Sequence, residues 1–170
     1  KSVMLDLIKE ELKSTGVAAS QMISFNFEAM SNAHLCTAQA LYEEVMKRAS
    51  AIEGKVYLFF DEIQEVSSWE KAINSFRVEL DCDIYITGSN AKLLSGELAT
   101  VLGGRYVEFT IYPFSYSEFL DLYRTVDAGA QDAAIFQKYR TLGGIPYLAN
   151  LRYANEPSKQ YLSDIYNSVV

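Results

Sequence analysis

Two adjacent carboxylates, Asp61 and Glu62, close the apolar run Val56-Tyr57-Leu58-Phe59-Phe60. An unbroken apolar run of this kind reads as a strand buried on both faces, and parallel sheets present ligands at the carboxyl ends of such strands. Residues leaving a strand point in different directions, so the two acids can divide the tasks of metal-assisted phosphoryl transfer. One would hold a metal's water shell and the other would orient an attacking water. The same pair also suits a plainer role, ending the strand and starting the turn toward Val66.

Three further groups bear on the choice. Lys1-Ser2 opens an amphipathic segment in the way the last two positions of a G-x-x-x-x-G-K-[ST] phosphate loop would; in that role Lys1 binds the β- and γ-phosphates of ATP and Ser2 ligates Mg²⁺. An arbitrary Lys-Ser start is the alternative. The stretch Thr87-Gly88-Ser89-Asn90 follows a short apolar run, where polar side chains can reach a γ-phosphate or the attacking water, or can simply cap the next helix. Gly103-Gly104-Arg105 places a guanidinium between an expected helix and an expected strand. Its forked donors suit a transferring phosphoryl group on a neighbouring subunit, and equally a surface ion pair. His34, the single histidine, is assigned no role.

These residues need elements to hold them. Met4, Leu5, Ile8 and Leu12 share one face of a helix that starts at the first residues and stops at Ser14-Thr15-Gly16. Residues 22–27 read as a strand, and Ala38, Leu41, Tyr42, Val45, Met46 and Ala49 follow at helical spacing. The acid-bearing strand comes next, then a helix carrying Trp69, Ala72, Ile73, Phe76 and Leu80, then a short strand at 83–86. Residues 91–102 are helix-compatible, and 106–111 are β-rich before Pro113 breaks the run. After that, 115–123, 134–142 and 161–169 all carry helical periodicity. Alternating strands and helices predict a parallel α/β sheet covered on both faces, with an α/β core over 1–112 and a helical lid, or the lead into another domain, over 113–170.

Composition narrows the classes. The 170 residues carry a formal charge of −7, which argues against general attraction to nucleic acid or anionic membranes, and hydrophobic residues make up 49%, as in an ordinary globular domain. Cys36 and Cys82 are too few for a disulfide framework and have no second ligand at metal spacing. The apolar runs are too short to span a bilayer and the first residues do not resemble a signal peptide, so the expected location is cytoplasmic.

Taken together, Lys1-Ser2, Tyr57 through Gln64, Ile86 through Asn90 with Leu93-Leu94, Gly104-Arg105, Tyr112 through Phe119 and Gly143-Gly144-Ile145-Pro146 resemble the bacterial and archaeal AAA-type P-loop ATPases that carry a C-terminal domain related to restriction endonucleases. The resemblance implies a three-layer αβα fold in which Asp61 is the Walker B metal carboxylate and Glu62 the catalytic glutamate. It makes Ser89 or Asn90 the sensor of the γ-phosphate, with Ser89 preferred, and puts Arg105 where such ATPases carry an arginine finger. It implies Mg²⁺-dependent ATP hydrolysis coupled to movement of a helical or C-terminal domain, with a homo-oligomer and a protein or DNA client as partners. The alternative is a nucleotide-dependent switch with little or no hydrolysis; a third expectation is a scaffold with no nucleotide site. The chain departs from the family at its start, where the glycines of the phosphate loop and the first strand are missing. That strand would lie between 83–87 and 106–111, so the polypeptide is expected to extend before Lys1, and the 170-residue chain alone is expected to bind ATP poorly.

Overall fold

The computed structural model describes residues 1–88, 102, 103 and 105–169. Ser89, Asn90, Leu93, Leu94, Gly104 and the body of the helix expected over 91–102 lie outside these residues. The chain divides into two units, Lys1–Glu108 and Phe109–Val170.

The first unit contains helix α1 (Ser2–Ser14), strand β1 (Met22–Asn26), helix α2 (Ala38–Ala49), strand β2 (Val56–Asp61), helix α3 (Trp69–Glu79) and strand β3 (Cys82–Ile86). The strands form a parallel sheet in the order β1-β2-β3. Strand β2 is central and almost wholly buried, as its continuous apolar run requires, whereas β1 alternates, with Ile23 and Phe25 inward and Ser24 and Asn26 outward. Leu58 and Phe60 of β2 face a core built with Leu41 and Val45 of α2 and Ile73 and Phe76 of α3. Full burial of each such side chain contributes about 1.5–3 kcal/mol. Tyr42 and Phe76 stack with ring centres 6.0 Å apart, so α2 and α3 cover this face side by side. Phe59, one residue out of phase, points to the other face, where its ring stacks on Tyr85 at 4.9 Å and the Lys9 ammonium of α1 lies 5.2 Å above it. Helix α1 therefore covers the second face.

The far edge of β3 is bare. Val56 donates its N–H to the Asp81 carbonyl and Thr87 donates to the Phe60 carbonyl, which turns the odd-numbered residues of β3 toward β2. The N–H and C=O groups of Cys82, Ile84 and Ile86 then point away from β2, and no strand meets them among the described residues. This explains the one sequence expectation that the fold corrects. Residues 106–111 form no strand, and Val107 and Phe109 are 78% and 81% exposed. Local β-propensity does not make a strand without a ladder to join, and among the described residues no partner strand stands beyond β3.

The second unit packs helices α4 (Tyr116–Val126), α5 (Asp132–Leu142) and α6 (Asn155–Val169). Helix α4 starts with a reciprocal cap. The Glu118 carboxylate accepts from the Ser115 hydroxyl and N–H at 2.7 and 2.8 Å, and the Glu118 N–H donates back to the Ser115 hydroxyl. Those two donors hold the Glu118 carboxyl below the usual carboxylate range, the Ser115 hydroxyl contributing most. The core is Phe119, Ile135, Leu142, Leu148 and Tyr153. Gly144 closes it: its carbonyl accepts from the Phe114 N–H at 2.7 Å, and a Cβ there would run into the Phe114 backbone. Among the described residues no helix is long and apolar enough to cross a membrane.

Candidate active site

In a parallel sheet all strand ends of one kind lie together, and here the register sets Asn26 of β1 opposite Asp61 of β2, while Phe60 of β2 faces Ile86, the residue before Thr87. Asp61 is only 6% exposed. A carboxylate so buried is costly unless both oxygens find donors. Here the Thr87 hydroxyl donates to Oδ1 and the Asn26 amide donates to Oδ2 at 3.1 Å. The charge is thereby held in one orientation at the end of the central strand.

Glu62 follows in the left-handed region, at φ 54° and ψ 50°. For a residue with a Cβ this costs about 1–2 kcal/mol, and the surroundings over-determine it. Ile63 is fully buried and donates its N–H to the Thr87 carbonyl at 3.0 Å, and the Glu62 N–H donates to the Thr87 hydroxyl at 3.2 Å. The sharp turn sends the Glu62 side chain on a different course from that of Asp61. Gln64 donates its side-chain amide to the Glu62 carboxylate, while the Gln64 carbonyl oxygen is enclosed without a partner. Reversing that amide would set oxygen against carboxylate, so the contact to Glu62 dictates its orientation.

Helix α1 brings its amino end to the same place. The Lys1 ammonium donates to the carbonyl of Gly88 at 2.5 Å, next to Thr87. No side chain caps the helix start and no acid occupies its first turn, so its positive end faces no local carboxylate of its own first turn. Ser2, Leu5, Asp6 and Lys9 of α1 line a cleft of about 170 Å³ with Ser24, Phe25, Asn26 and Asp61. Its walls carry the Lys9 ammonium and the hydroxyl, amide and carboxylate oxygens of Ser2, Ser24, Asn26, Asp6 and Asp61. Such oxygens suit Mg²⁺, which keeps several waters and takes one or two protein oxygens, and no group of three or more His, Cys, Asp or Glu forms an all-protein cage among the described residues. The volume suits a hydrated cation with phosphate oxygens and is well below that of a pocket enclosing a whole drug-sized ligand.

Of the residues singled out from the sequence, Ser2 and Asp61 share one cleft, whereas Lys1 and Glu62 do not line it: the Lys1 ammonium bonds to Gly88, and Glu62 bonds to Thr87 and Gln64. Ser89 and Asn90 lie outside the described residues. Arg105 is not part of this cleft; it lines a second one of about 420 Å³ with Asn74, Arg77, Val78, Leu102 and Gly103. Sequence reasoning passed over Asn26 and Gln64, and gave Thr87 no part of its own. The signal for Asn26 and Thr87 was available, since each is the first polar group at the carboxyl end of an apolar strand. Gln64 carried no such signal.

A family model described as an AAA domain matches residues 1–120, a span that contains the whole cleft. An uncharacterized protein of Haemophilus influenzae is 40% identical over 172 residues, covering 100% of this chain and 42% of that protein. An uncharacterized protein of Methanocaldococcus jannaschii is 34% identical over 134 residues, covering 72% of this chain and 30% of that protein. The chain thus spans less than half the length of either relative. No solved structure matches it.

Proposed function

Because this chain belongs to the AAA domain family, matched over residues 1–120, we propose that it forms the nucleotide site of an ATPase that hydrolyses ATP with Mg²⁺. The observation that carries this is the pairing of a buried, doubly hydrogen-bonded Asp61 with Ser2 at the start of α1, in one polar cleft. Ser2 and Asp61 would hold Mg²⁺, which would supply positive charge to offset the charge that develops on the transferring phosphoryl group. Lys1 exchanges the Gly88 carbonyl for the β- and γ-phosphates, aided by the positive end of α1. Glu62 aligns a water and takes its proton as the water oxygen bonds to the γ-phosphorus. The bond from that phosphorus to the bridging oxygen breaks, and ADP leaves with the electron pair. Ser89 or Asn90 senses the γ-phosphate, and Arg105, set in a cleft of its own, serves a neighbouring subunit in a homo-oligomer. The helical unit acts as the lid that turns hydrolysis into movement, in a longer cytoplasmic protein whose further domain engages a protein or DNA client.

The test is calorimetric titration of the full-length protein with ATP, with and without Mg²⁺, beside phosphate-release assays. Wild type should bind and turn over ATP. Glu62→Gln should keep binding and lose on the order of 10²–10⁴-fold in turnover. Binding with negligible turnover in both would favour the switch, and no binding by the full-length protein would defeat the nucleotide reading.

A further inference from the structure

Thr87 directs every hydrogen-bonding group it owns at one four-residue stretch of the neighbouring strand and turn. Its N–H donates to the Phe60 carbonyl at 2.9 Å and its carbonyl accepts from the Ile63 N–H at 3.0 Å. Its hydroxyl donates to Asp61 Oδ1 and accepts from the Glu62 N–H. The backbone pair extends the β2–β3 ladder by one step beyond Ile86, and any residue could supply it. The hydroxyl pair is different in kind. One oxygen binds a side chain of the first acid and the backbone of the second, and only Ser or Thr offers a donor and an acceptor on so short a stem.

We propose that Thr87 is the positioning residue of the acid pair, its single hydroxyl fixing the Asp61 carboxylate and the left-handed Glu62 backbone relative to one another. This rests on the ATPase reading above. Without the hydroxyl, Oδ1 of Asp61 and the N–H of Glu62 both lose their partner in a place with little water to replace it. Asn26 still holds the other oxygen of Asp61, so the carboxylate keeps one tether and gains freedom to swing about it. Glu62 loses one of the contacts that keep its φ positive, and its side chain is released with it. Thr87 itself does not line the cleft, so the donors that α1 offers to phosphate stay as they were. The role is therefore in alignment for the chemical step and not in capture of the nucleotide.

The experiment compares Thr87→Val, which keeps shape and branching, with Thr87→Ser, which keeps the hydroxyl, in the full-length protein. Turnover at saturating Mg-ATP should fall about 10²-fold in Thr87→Val, while the Kd for ATP stays within about threefold. Thr87→Ser should keep most of the wild-type rate. Hydrogen exchange at the Glu62 amide, followed by NMR, should be slow in wild type and Thr87→Ser and faster in Thr87→Val; if the valine variant does not fold, Thr87→Ala takes its place in the same comparison. Wild-type turnover in Thr87→Val, or equal impairment of Thr87→Ser and Thr87→Val, overturns the role while leaving the ATPase reading intact. Absence of ATP turnover in wild type itself overturns both.

Discussion

The α/β unit and the helical unit each bury a polar side chain almost completely, Asp61 in one and Ser158 in the other, and they treat the two differently. Asp61 is met by donors from both neighbouring strand ends, one for each oxygen. The hydroxyls of Ser158 and of the buried Tyr153 are enclosed with no hydrogen-bond partner among the described residues. Tyr153 is held by rings instead, those of Tyr123 and Phe119 at 4.6 and 5.0 Å. Burial pushes its phenol up, and nearby Tyr123 adds to the effect. A polar atom gripped from several elements has a defined position, and position is what chemistry needs. One that is merely surrounded is tolerated by the packing around it. The comparison gives Asp61 of the first unit the fixed position that the proposed chemistry would need, and shows the buried hydroxyls of the second held by packing.

The largest change that tests this division is Phe119→Ala, which removes the ring that touches Tyr123, Tyr139 and Tyr153. It should destabilise the helical unit by about 3–5 kcal/mol. The single tryptophan, Trp69, lies in α3 and reports the α/β unit alone. Urea unfolding followed by Trp69 fluorescence should barely shift, while far-ultraviolet circular dichroism should show an early transition. Equal shifts by both probes would mean the units unfold as one, and the comparison would break.

A smaller effect comes from Ser115→Ala, which deletes the cap of α4 and should cost about 1 kcal/mol. Because the folded-state Glu118 carboxyl is held low, its contribution is present above the ordinary carboxylate range and is lost as the pH falls through the lowered folded value. The stability difference between Ser115→Ala and wild type should therefore shrink on acidification. A gap that stays constant down to acid pH would remove Glu118 from the cap. The smallest effect is expected from Tyr153→Phe. With no partner to lose, it should fall within about 0.5 kcal/mol of wild type or stabilise slightly. A clear loss of stability in thermal denaturation would mean the hydroxyl has a partner after all, and the two units would handle buried polar groups alike.

The positions of α1 to α5 and of β1, β2 and β3 were legible in the sequence because each carries its own signal, whereas α6 begins at Asn155, six residues before the stretch expected from periodicity. Ile73 and Phe76 repeat at helical spacing, and 56–60 is apolar without a break. Residues 106–111 show where such signals fail. Their alternation describes a strand, but whether it forms depends on a neighbour elsewhere in the sheet. The site divides in the same way. Asp61 and Glu62 stood out because acids at the end of a buried strand are conspicuous. Residues 26, 61 and 87 each end an apolar run, but that Asn26 and Thr87 grip Asp61 depends on the register across three strands, which no local pattern specifies. Arg105 was conspicuous for a similar local reason, and yet it lines a different cleft.

The left-handed backbone at Glu62 sets two selection pressures against each other. Glycine relaxes in that conformation, and asparagine enters it far more readily than glutamate. Variants screened only for survival at high temperature should therefore enrich Glu62→Gly and Glu62→Asn, and each would discard the carboxylate as it gained stability. On the role proposed for Glu62, a lineage that must keep its activity is held at glutamate in a conformation glutamate disfavours, and heat tolerance and turnover should then trade against each other at residue 62.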